Sequence, residues 1–148
     1  MMRRLLEWAL NKLFETHEIG RKGLPRYLTR WVLWGKRFGP GRKVFLHCFH
    51  RGDAEDYFHD HPWPFRSLIL WGGYYEHTES GRRWYGPLSL LRRPAEWRHR
   101  VEVPEGRTCW TLILCGEKVR SWGFWCPKGF VPWRKHQASQ DAGGSGCE

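Results

Sequence analysis

The sequence predicts an all-β domain with one amphipathic helix at its N-terminus, and three observations support this fold class. Short runs of β-branched and aromatic residues recur along the chain, and Gly and Pro residues separate them. The 148 residues include 41% hydrophobic and 16% aromatic residues, which is sufficient for the core of a single domain. No glycine-rich phosphate loop interrupts this pattern. The roughly eight to ten predicted strands are therefore typical of a β-sandwich or β-barrel.

Residues 1–26 are predicted to contain the helix and a connector. Over residues 3–16, apolar side chains recur at helical spacing and polar or basic side chains lie between them. The apolar positions are Leu5, Leu6, Ala9, Leu10, Leu13 and Phe14. We expect this helix to pack across the outside of the domain, or in a homodimer contact, rather than to lie on a membrane surface.

The β-rich domain is predicted to extend over residues 27–136. A flexible tail, rich in Gly and Ser, is predicted to follow over residues 137–148. The predicted strands are 27–34, 43–50, 67–71, 74–78, 84–93, 99–103, 108–115, 121–125 and 129–133.

The chain is strongly basic, with a formal net charge of +10 and a sequence pI of about 9.8. A solvated basic face is the simplest interpretation, and binding of nucleic acid or of an anionic small molecule is the alternative. No apolar run of about 18 residues is present, so we expect no membrane span. No signal peptide is recognised at the N-terminus.

Cysteine usage favours reduced thiols in a cytoplasmic protein. The five cysteines are odd in number and contain no Cys-x-x-Cys pair. Cys48, Cys109 and Cys115 lie in apolar, strand-like runs, which is typical of buried free thiols rather than of a disulfide framework. Cys147 lies in the Gly/Ser tail, where we expect it to be exposed.

The segment His59-Asp60-His61 places two imidazoles at positions i and i+2. On a strand, side chains two residues apart point to the same face, so both rings can reach one metal ion. His99 is the candidate third ligand, because the arginines that flank it are expected to point outwards and to leave His99 pointing inwards. Three neutral imidazole nitrogens form a site with open coordination positions, as catalytic metal sites do.

This arrangement resembles the cupin superfamily, whose members are small β-barrels of the jelly-roll type. Their first motif contains His-x-His followed by a hairpin glycine, and their second motif begins with Gly and continues as Pro-x-Gly-x-x-His. The matching positions are His59, His61, Gly72 or Gly73, Gly86, Pro94 and His99. The resemblance covers roughly residues 43–126. It implies a single-domain cupin-type jelly-roll barrel in which the three histidines hold a metal ion.

The sequence departs from the cupin pattern at two places. The first motif of the family carries a Glu that is usually a fourth ligand, but Phe65 or Arg66 stands there in this chain. The glycine of Pro-x-Gly is replaced by Glu96. Loss of the ligand Glu removes one negative charge from the site, which favours an anionic substrate as an added ligand.

The resemblance also implies a cofactor and suggests further site residues. The three-histidine face looks like that of cupin dioxygenases, which implies one divalent ion, with Fe(II) as the first choice and Zn, Ni, Mn or Cu as alternatives. Glu76 is a candidate replacement for the missing carboxylate, with a position on the outer face as its alternative. His47 is a candidate pocket acid or base, with a hydrogen-bonded core histidine as its alternative. Arg66 is a candidate clamp for a substrate carboxylate, with an outward, salt-bridged arginine as its alternative. Tyr74 is a candidate substrate-binding residue of the pocket.

The leading interpretation is a mononuclear non-haem metal oxygenase that acts on a small anionic substrate. One alternative is a metal-independent sugar-phosphate isomerase or epimerase, in which His and Tyr act as acid and base and arginines hold phosphates. Another is a non-enzymatic module that binds a small anion, a nucleotide or nucleic acid through its basic surface.

Overall fold

The computed structural model describes residues 2–20, 23–53 and 56–147, and these ranges contain two helices and twelve short strands. The helices are α1 (Met2–Leu13) and α2 (Trp133–Asp141). The strands are β1 (Glu15–Ile19), β2 (Leu28–Trp34), β3 (Lys43–Phe49), β4 (Phe58–His59), β5 (Phe65–Trp71), β6 (Tyr74–Thr78), β7 (Gly81–Tyr85), β8 (Leu90–Arg93), β9 (Arg100–Glu102), β10 (Cys109–Cys115), β11 (Gly123–Cys126) and β12 (Gly129–Pro132). The predicted all-β class with an N-terminal helix is confirmed.

The described strands form three antiparallel sheets. One sheet has six strands in the order β1-β2-β3-β10-β5-β8, and the two smaller sheets have the orders β12-β11-β4 and β7-β6-β9. An isolated antiparallel bridge between His59 and His99 joins the two smaller sheets. The strand order is not sequential, so strands from distant parts of the chain become neighbours, as in a jelly roll.

The core lies between the six-stranded sheet and the smaller sheets. Leu28, Phe49 and Ile69 from the large sheet form one buried cluster with Tyr74 and Val101 from the β7-β6-β9 sheet. Full burial of an apolar side chain of this size stabilises the fold by about 1.5–3 kcal/mol. The two layers therefore enclose a common interior, which is the barrel that the motif pattern implied.

Helix α1 packs on the outer face of the six-stranded sheet. Trp31 and Trp110 stack there with ring centroids 5.4 Å apart, and Leu10 and Phe14 pack against this pair. The Trp31 Nε1–H group donates a hydrogen bond to Asn11 Oδ1 at 2.7 Å. The helix thus covers the outside of the domain, as expected. Within the described ranges, no helix has both the length and the apolar character needed to cross a membrane.

The helix ends earlier than predicted, because the chain changes to strand β1 after it. Strand β1 pairs with β2 from Glu15 opposite Val32 to Ile19 opposite Leu28. This edge strand is largely polar, so its sequence lacks the apolar β signal. Pairing with the edge of β2 supplies hydrogen-bond partners for the backbone groups of β1. This gain outweighs the helical spacing of apolar residues that continues to Phe14.

The C-terminal region differs from the predicted flexible tail. Helix α2 extends to Asp141, and Cys126 forms a disulfide with the buried Cys147. The prediction of reduced thiols and of an exposed Cys147 is therefore wrong for this pair. It failed because the sequence does not reveal that residues 21 apart meet. The other cysteines, Cys48, Cys109 and Cys115, are free and buried, and burial raises the pKa of each thiol to about 12.

Candidate metal centre

Two segments of the smaller sheets deliver three histidines to one place. His59 ends β4, and its backbone exchanges two hydrogen bonds with His99, of 2.9 and 3.1 Å. The backbone N–H of His61 donates to the carbonyl of Ala95 at 2.9 Å, which fixes the segment after β4 against the turn before His99. Both segments are held by backbone pairing, so the three rings are positioned independently of any ligand.

The three rings converge. The centroid distances are 5.2 Å between His59 and His61, 4.9 Å between His59 and His99, and 5.0 Å between His61 and His99. The ligand atoms of the three side chains lie within 4.8 Å of one another. His61 Nε2 and His99 Nε2 are 2.9 Å apart, close to the separation of about 3.0 Å expected for two nitrogens about 2.1 Å from one octahedral ion. The donor set and its spacing therefore fit a divalent metal ion.

Asp60 lies between two of these histidines in sequence, but its side chain is used elsewhere. It is fully buried and accepts hydrogen bonds from the backbone N–H of Gly123 at 2.9 Å and from Trp125 Nε1 at 3.1 Å. It also forms an ion pair with Arg120. Asp60 thereby anchors the histidine segment to β11 and its preceding loop, and it leaves the two imidazoles on the other side.

Glu76 lies behind His99 rather than among the three rings. Its Oε1 is 2.6 Å from His99 Nδ1, and it also accepts a hydrogen bond from Trp97 Nε1 at 3.1 Å. Arg93 donates to both carboxylate oxygens, at 3.1 and 2.6 Å. Burial raises the pKa of Glu76, but hydrogen bonds from His99 and Arg93 outweigh it and lower the pKa to about 2. The carboxylate fixes the His99 ring with Nε2 directed to the cluster, a role that resembles that of carboxylates behind metal-bound histidines.

The environment keeps the cluster suited to metal ions. Burial, together with the neighbouring His99 and His59, holds the pKa of His61 well below its usual value of 6.5. His61 is therefore neutral near pH 7, which is the form that binds metals. His59 Nδ1 lies 3.8 Å from Asp53 Oδ2, and Asp53 also accepts a hydrogen bond from the Val101 backbone at 2.6 Å.

An inner cavity of about 100 Å³ adjoins the cluster inside the barrel, and both His61 and His99 line it. Arg30 and His47 lie in its wall, where Arg30 Nε donates to His47 Nε2 at 2.9 Å. Burial holds the pKa of His47 well below 6.5, and the charge of Arg30 adds to this effect. The structure thus places His47 in the cavity as a neutral, hydrogen-bonded side chain. Tyr74 also lines the cavity, and burial raises its pKa above the usual value.

The position of the missing family Glu is occupied by an aromatic ring and an outward arginine. The Phe65 ring packs against His61 with centroids 4.6 Å apart and contributes to the cavity wall. Arg66 is exposed on the opposite face of β5. Of the two alternatives for Arg66, the structure favours the outward arginine over the clamp, because strand alternation directs Phe65 and Ser67 inwards and Arg66 outwards.

An outer cleft of about 380 Å³ reaches the cluster from the other side, where His59 forms part of its wall. Helix α2 contributes Trp133 and Gln137 to this cleft. Trp133 stacks on Trp122 with centroids 5.7 Å apart and an interplanar angle of 10°. The three histidines thus lie between a smaller inner cavity and a larger outer cleft.

Sequence reasoning missed Arg30, Arg93 and Asp53. Arg30 lies on β2, where residues of both faces are buried, so alternation gave no signal for an inward arginine. Arg93 and Asp53 act through Glu76 and His59, and these pairings depend on strand register. The position of Glu76 after the glycine hairpin was sufficient to make it a candidate site residue. Its contact with His99 could not be identified from the sequence.

No protein-family model matches the sequence, and no curated protein sequence matches it. Solved structures do match. The cupin-2 domain protein Rru_A2000 from Rhodospirillum rubrum has a TM-score of 0.57 and 18% identity, with 72% of each chain covered. The DMSP lyase DddQ from Ruegeria pomeroyi DSS-3 has a TM-score of 0.62 and 19% identity over 82% of this chain and 66% of that chain.

HppE in its Fe(II) form has a TM-score of 0.57 and 8% identity over 70% of this chain and 57% of that chain. Identities this low show the fold and not the activity. The similarity in fold to these structures is consistent with the sheet order and the core described above. The chain is a protein with the cupin fold.

Proposed function

We propose that this protein is a mononuclear metal-dependent enzyme that acts on a small anionic substrate, with Fe(II) as the first candidate ion and oxygenase chemistry as the first candidate reaction. The observation that carries the proposal is the convergence of His59, His61 and His99, with two Nε2 atoms 2.9 Å apart. When bound, a divalent ion held by three imidazoles supplies a Lewis acid with open coordination positions and, as iron, a redox centre.

The side chains around the cluster support the binding of a metal ion. His99 Nδ1 lies 2.6 Å from the Glu76 carboxylate, which stays ionised at neutral pH because the effect of burial on its pKa is outweighed by hydrogen bonds from His99 and Arg93, which lower the pKa to about 2. That carboxylate favours a proton on Nδ1, which leaves Nε2 of His99 as an electron-pair donor. Such a donor beside two other imidazoles is the arrangement that a cation stabilises.

Arg30 supports an anionic substrate. It lines the inner cavity, and no carboxylate in the described ranges forms an ion pair with it. Burial lowers its pKa to about 10, so the guanidinium is still charged at neutral pH. A buried cation without an acidic partner is costly, and a bound anion would remove that cost. The Nδ1 atom of His47 is also buried without a hydrogen-bond partner among the described residues, so the cavity offers a second polar contact.

The neighbouring structures give the proposal a chemical range. The Fe(II) form of HppE supports iron in a barrel of this shape, and the DMSP lyase DddQ supports chemistry on a small molecule. The size of the inner cavity, about 100 Å³, suits a small substrate or the head of a longer one that extends through the outer cleft.

The test is metal binding by the purified chain. After removal of metals, the protein is titrated anaerobically with Fe(II), and separately with Ni²⁺ and Zn²⁺, by calorimetry. We expect one ion per chain at this cluster and a loss of affinity of more than about 100-fold in His99→Ala or His61→Ala. The matched control is His77→Ala, because His77 pairs with Glu102 away from the cluster.

Absence of an ion from the purified protein, together with no binding of any added ion, would contradict the metal proposal. Turnover that persists after chelation would instead favour the metal-independent isomerase alternative. Oxygen consumption by the iron-loaded protein with a panel of small carboxylates and phosphonates tests the reaction class separately.

A further inference from the structure

A second cluster of metal-binding side chains lies at the C-terminal end of the molecule. The ligand atoms of Cys126, His136 and Cys147 lie within 4.8 Å of one another, and all three residues are buried. Cys126 ends β11, and His136 lies in the middle of α2. The Phe124 ring separates this cluster from the first, with its centroid 3.8 Å from that of His136 and 6.1 Å from that of His59.

We propose that, when its disulfide is reduced, this cluster binds a zinc ion through the two thiolates and the imidazole. Thiolate and imidazole are the preferred zinc ligands in proteins, and among the described residues 2–20, 23–53 and 56–147 no carboxylate belongs to this cluster. A water molecule or a small external ligand completes four coordination positions. This proposal goes beyond the proposed function, because none of its ligands belongs to the three-histidine cluster.

The two oxidation states use the same side chains. A dithiol reductant transfers two electrons to the Cys126–Cys147 bond, which breaks into two thiols while the reductant becomes a disulfide. Binding of Zn²⁺ then displaces the two thiol protons to solvent. Two sulfurs bound to one tetrahedral zinc ion lie about 3.8 Å apart. The Cα atoms are 5.5 Å apart, so rotation of the two side chains can provide that separation.

The backbone of the C-terminal segment is shaped to bring Cys147 to α2. Gly144 N–H donates to the Ser139 carbonyl at 2.9 Å, and Gly146 N–H donates to Ser139 Oγ at 3.2 Å. Gly146 has a φ of +88°, and a Cβ atom at this position would lie 2.5 Å from His136 Nε2. Only glycine allows this approach, so the third ligand of the cluster is placed by specific local structure.

The consequence concerns the outer cleft. Helix α2 forms part of the cleft wall, and His136 itself lines the cleft. The disulfide ties the segment that follows α2 to the end of β11, and a zinc ion would tie α2 itself there through His136. Reduction without metal leaves that end of the wall attached only by hydrogen bonds and packing.

The experiment uses the full chain, with complete reduction of the disulfide checked by alkylation and mass spectrometry. Reduced, metal-free protein is titrated with Zn²⁺, and with Co²⁺ as an optical probe whose thiolate charge-transfer absorption reports sulfur ligands. We expect two zinc ions per chain in the reduced protein and one in the oxidised protein. The charge-transfer band is expected only after reduction.

Three variants separate this site from the first. His61→Ala is expected to lose binding at the histidine cluster but to keep the cobalt–thiolate band of the reduced protein. Cys126→Ser combined with Cys147→Ser is expected to lose that band while the three other cysteines remain, and His136→Gln is expected to weaken it. The proposal is overturned if the reduced protein shows no thiolate band, if the band survives in the double serine variant, or if the disulfide resists reduction in the folded protein.

Discussion

The three-histidine cluster has an inner side and an outer side, and these sides are built differently. On the inner side, strands supply Arg30, His47 and Tyr74 to a cavity of about 100 Å³. On the outer side, a cleft of about 380 Å³ is bounded partly by α2 and by the stacked rings of Trp122 and Trp133. Among the described residues, the inner wall carries one charged side chain, Arg30, in a largely aromatic and apolar lining. The outer wall includes the charged residues Arg51, Asp53 and Asp141 and several residues of helix α2.

This difference suggests a division of roles. Side chains on hydrogen-bonded strands are held in fixed positions, so those on the inner side can select a substrate by charge and hydrogen bonding. A helix held at few points can shift without disturbing the barrel, so the outer side can govern size and access. Changes to the inner wall should alter affinity for anions, and changes to the outer wall should alter the rate of entry.

Glu76→Ala should have the largest effect, because Glu76 supports the cluster itself. The change leaves the Arg93 side chain, 11% exposed, without its carboxylate partner, and it removes the acceptor at His99 Nδ1. We expect a loss of about 3–5 kcal/mol in the free energy of unfolding, measured by urea denaturation. We also expect a loss of about 10–100-fold in metal affinity. Glu79→Ala, at an exposed carboxylate, is the control, and equal losses in both variants would contradict the role of Glu76.

Arg30→Met tests the inner side. Loss of a charge-assisted hydrogen bond worth about 1.5–3 kcal/mol should weaken the binding of small carboxylates to the metal-loaded protein by about 10–100-fold. Arg66→Met is the matched control, because Arg66 is exposed on the outer face of β5. Calorimetry with a series of carboxylates measures the effect. Similar losses in the two variants would show that net charge, and not the cavity, attracts the anion.

Trp133→Ala tests the outer side. It removes the stacked contact with Trp122, which is worth about 0.5–1.5 kcal/mol beyond area burial, and it opens the cleft beside His59. We expect a chelator to remove the metal ion several-fold faster while the equilibrium metal affinity changes little. Stopped-flow absorbance measures this rate, and Trp71→Ala, at a side chain that is 70% exposed, is the control. An unchanged rate would mean that access follows another path.

The pH dependence of stability should show the smallest effect. Burial holds the pKa of His47 in the folded protein well below 6.5. As the pH falls, His47 therefore becomes protonated in the unfolded chain at a higher pH than in the folded protein. Stability is therefore highest above pH 6.5 and decreases below it, by about 0.7 kcal/mol between pH 7 and pH 6 for this residue. Urea unfolding at several pH values should show that the free energy of unfolding changes less with pH in His47→Gln than in the wild type. Identical slopes would show that His47 does not contribute.

Local patterns in the sequence were sufficient for much of the fold. The predicted strand 74–78 coincides with β6, and the prediction 43–50 exceeds β3 by one residue. Both strands are bounded by turns that contain glycine, and both carry the β-branched or aromatic residues that pack on a sheet. The candidate metal residues also followed from local spacing, because two histidines two apart must share one side of an extended segment.

Features that depend on the meeting of distant segments could not be predicted in the same way. Strand β1 is polar because it lies at a sheet edge, and only its pairing with β2 makes it a strand. Helix α2 has one buried side chain, His136, so its sequence lacks an apolar stripe. The inward position of Arg30 was hidden because both faces of β2 are buried. In contrast, the outward alternative for Arg66 agrees with alternation along β5, because its neighbours Phe65 and Ser67 line the cavity.

The anchorage of Asp60 has a consequence for the order of events in folding and metal release. Asp60 pairs with the backbone of Gly123, 63 residues away, and His61 meets His99 across 38 residues. The cluster therefore exists only after long loops have closed, so it should form late, together with the cooperative unit that contains both small sheets. Release of a metal ion from this cluster should therefore be coupled to unfolding of the whole domain rather than to a local opening. At a free concentration 100 times its Kd, the ion would stabilise the entire domain by about 2.7 kcal/mol.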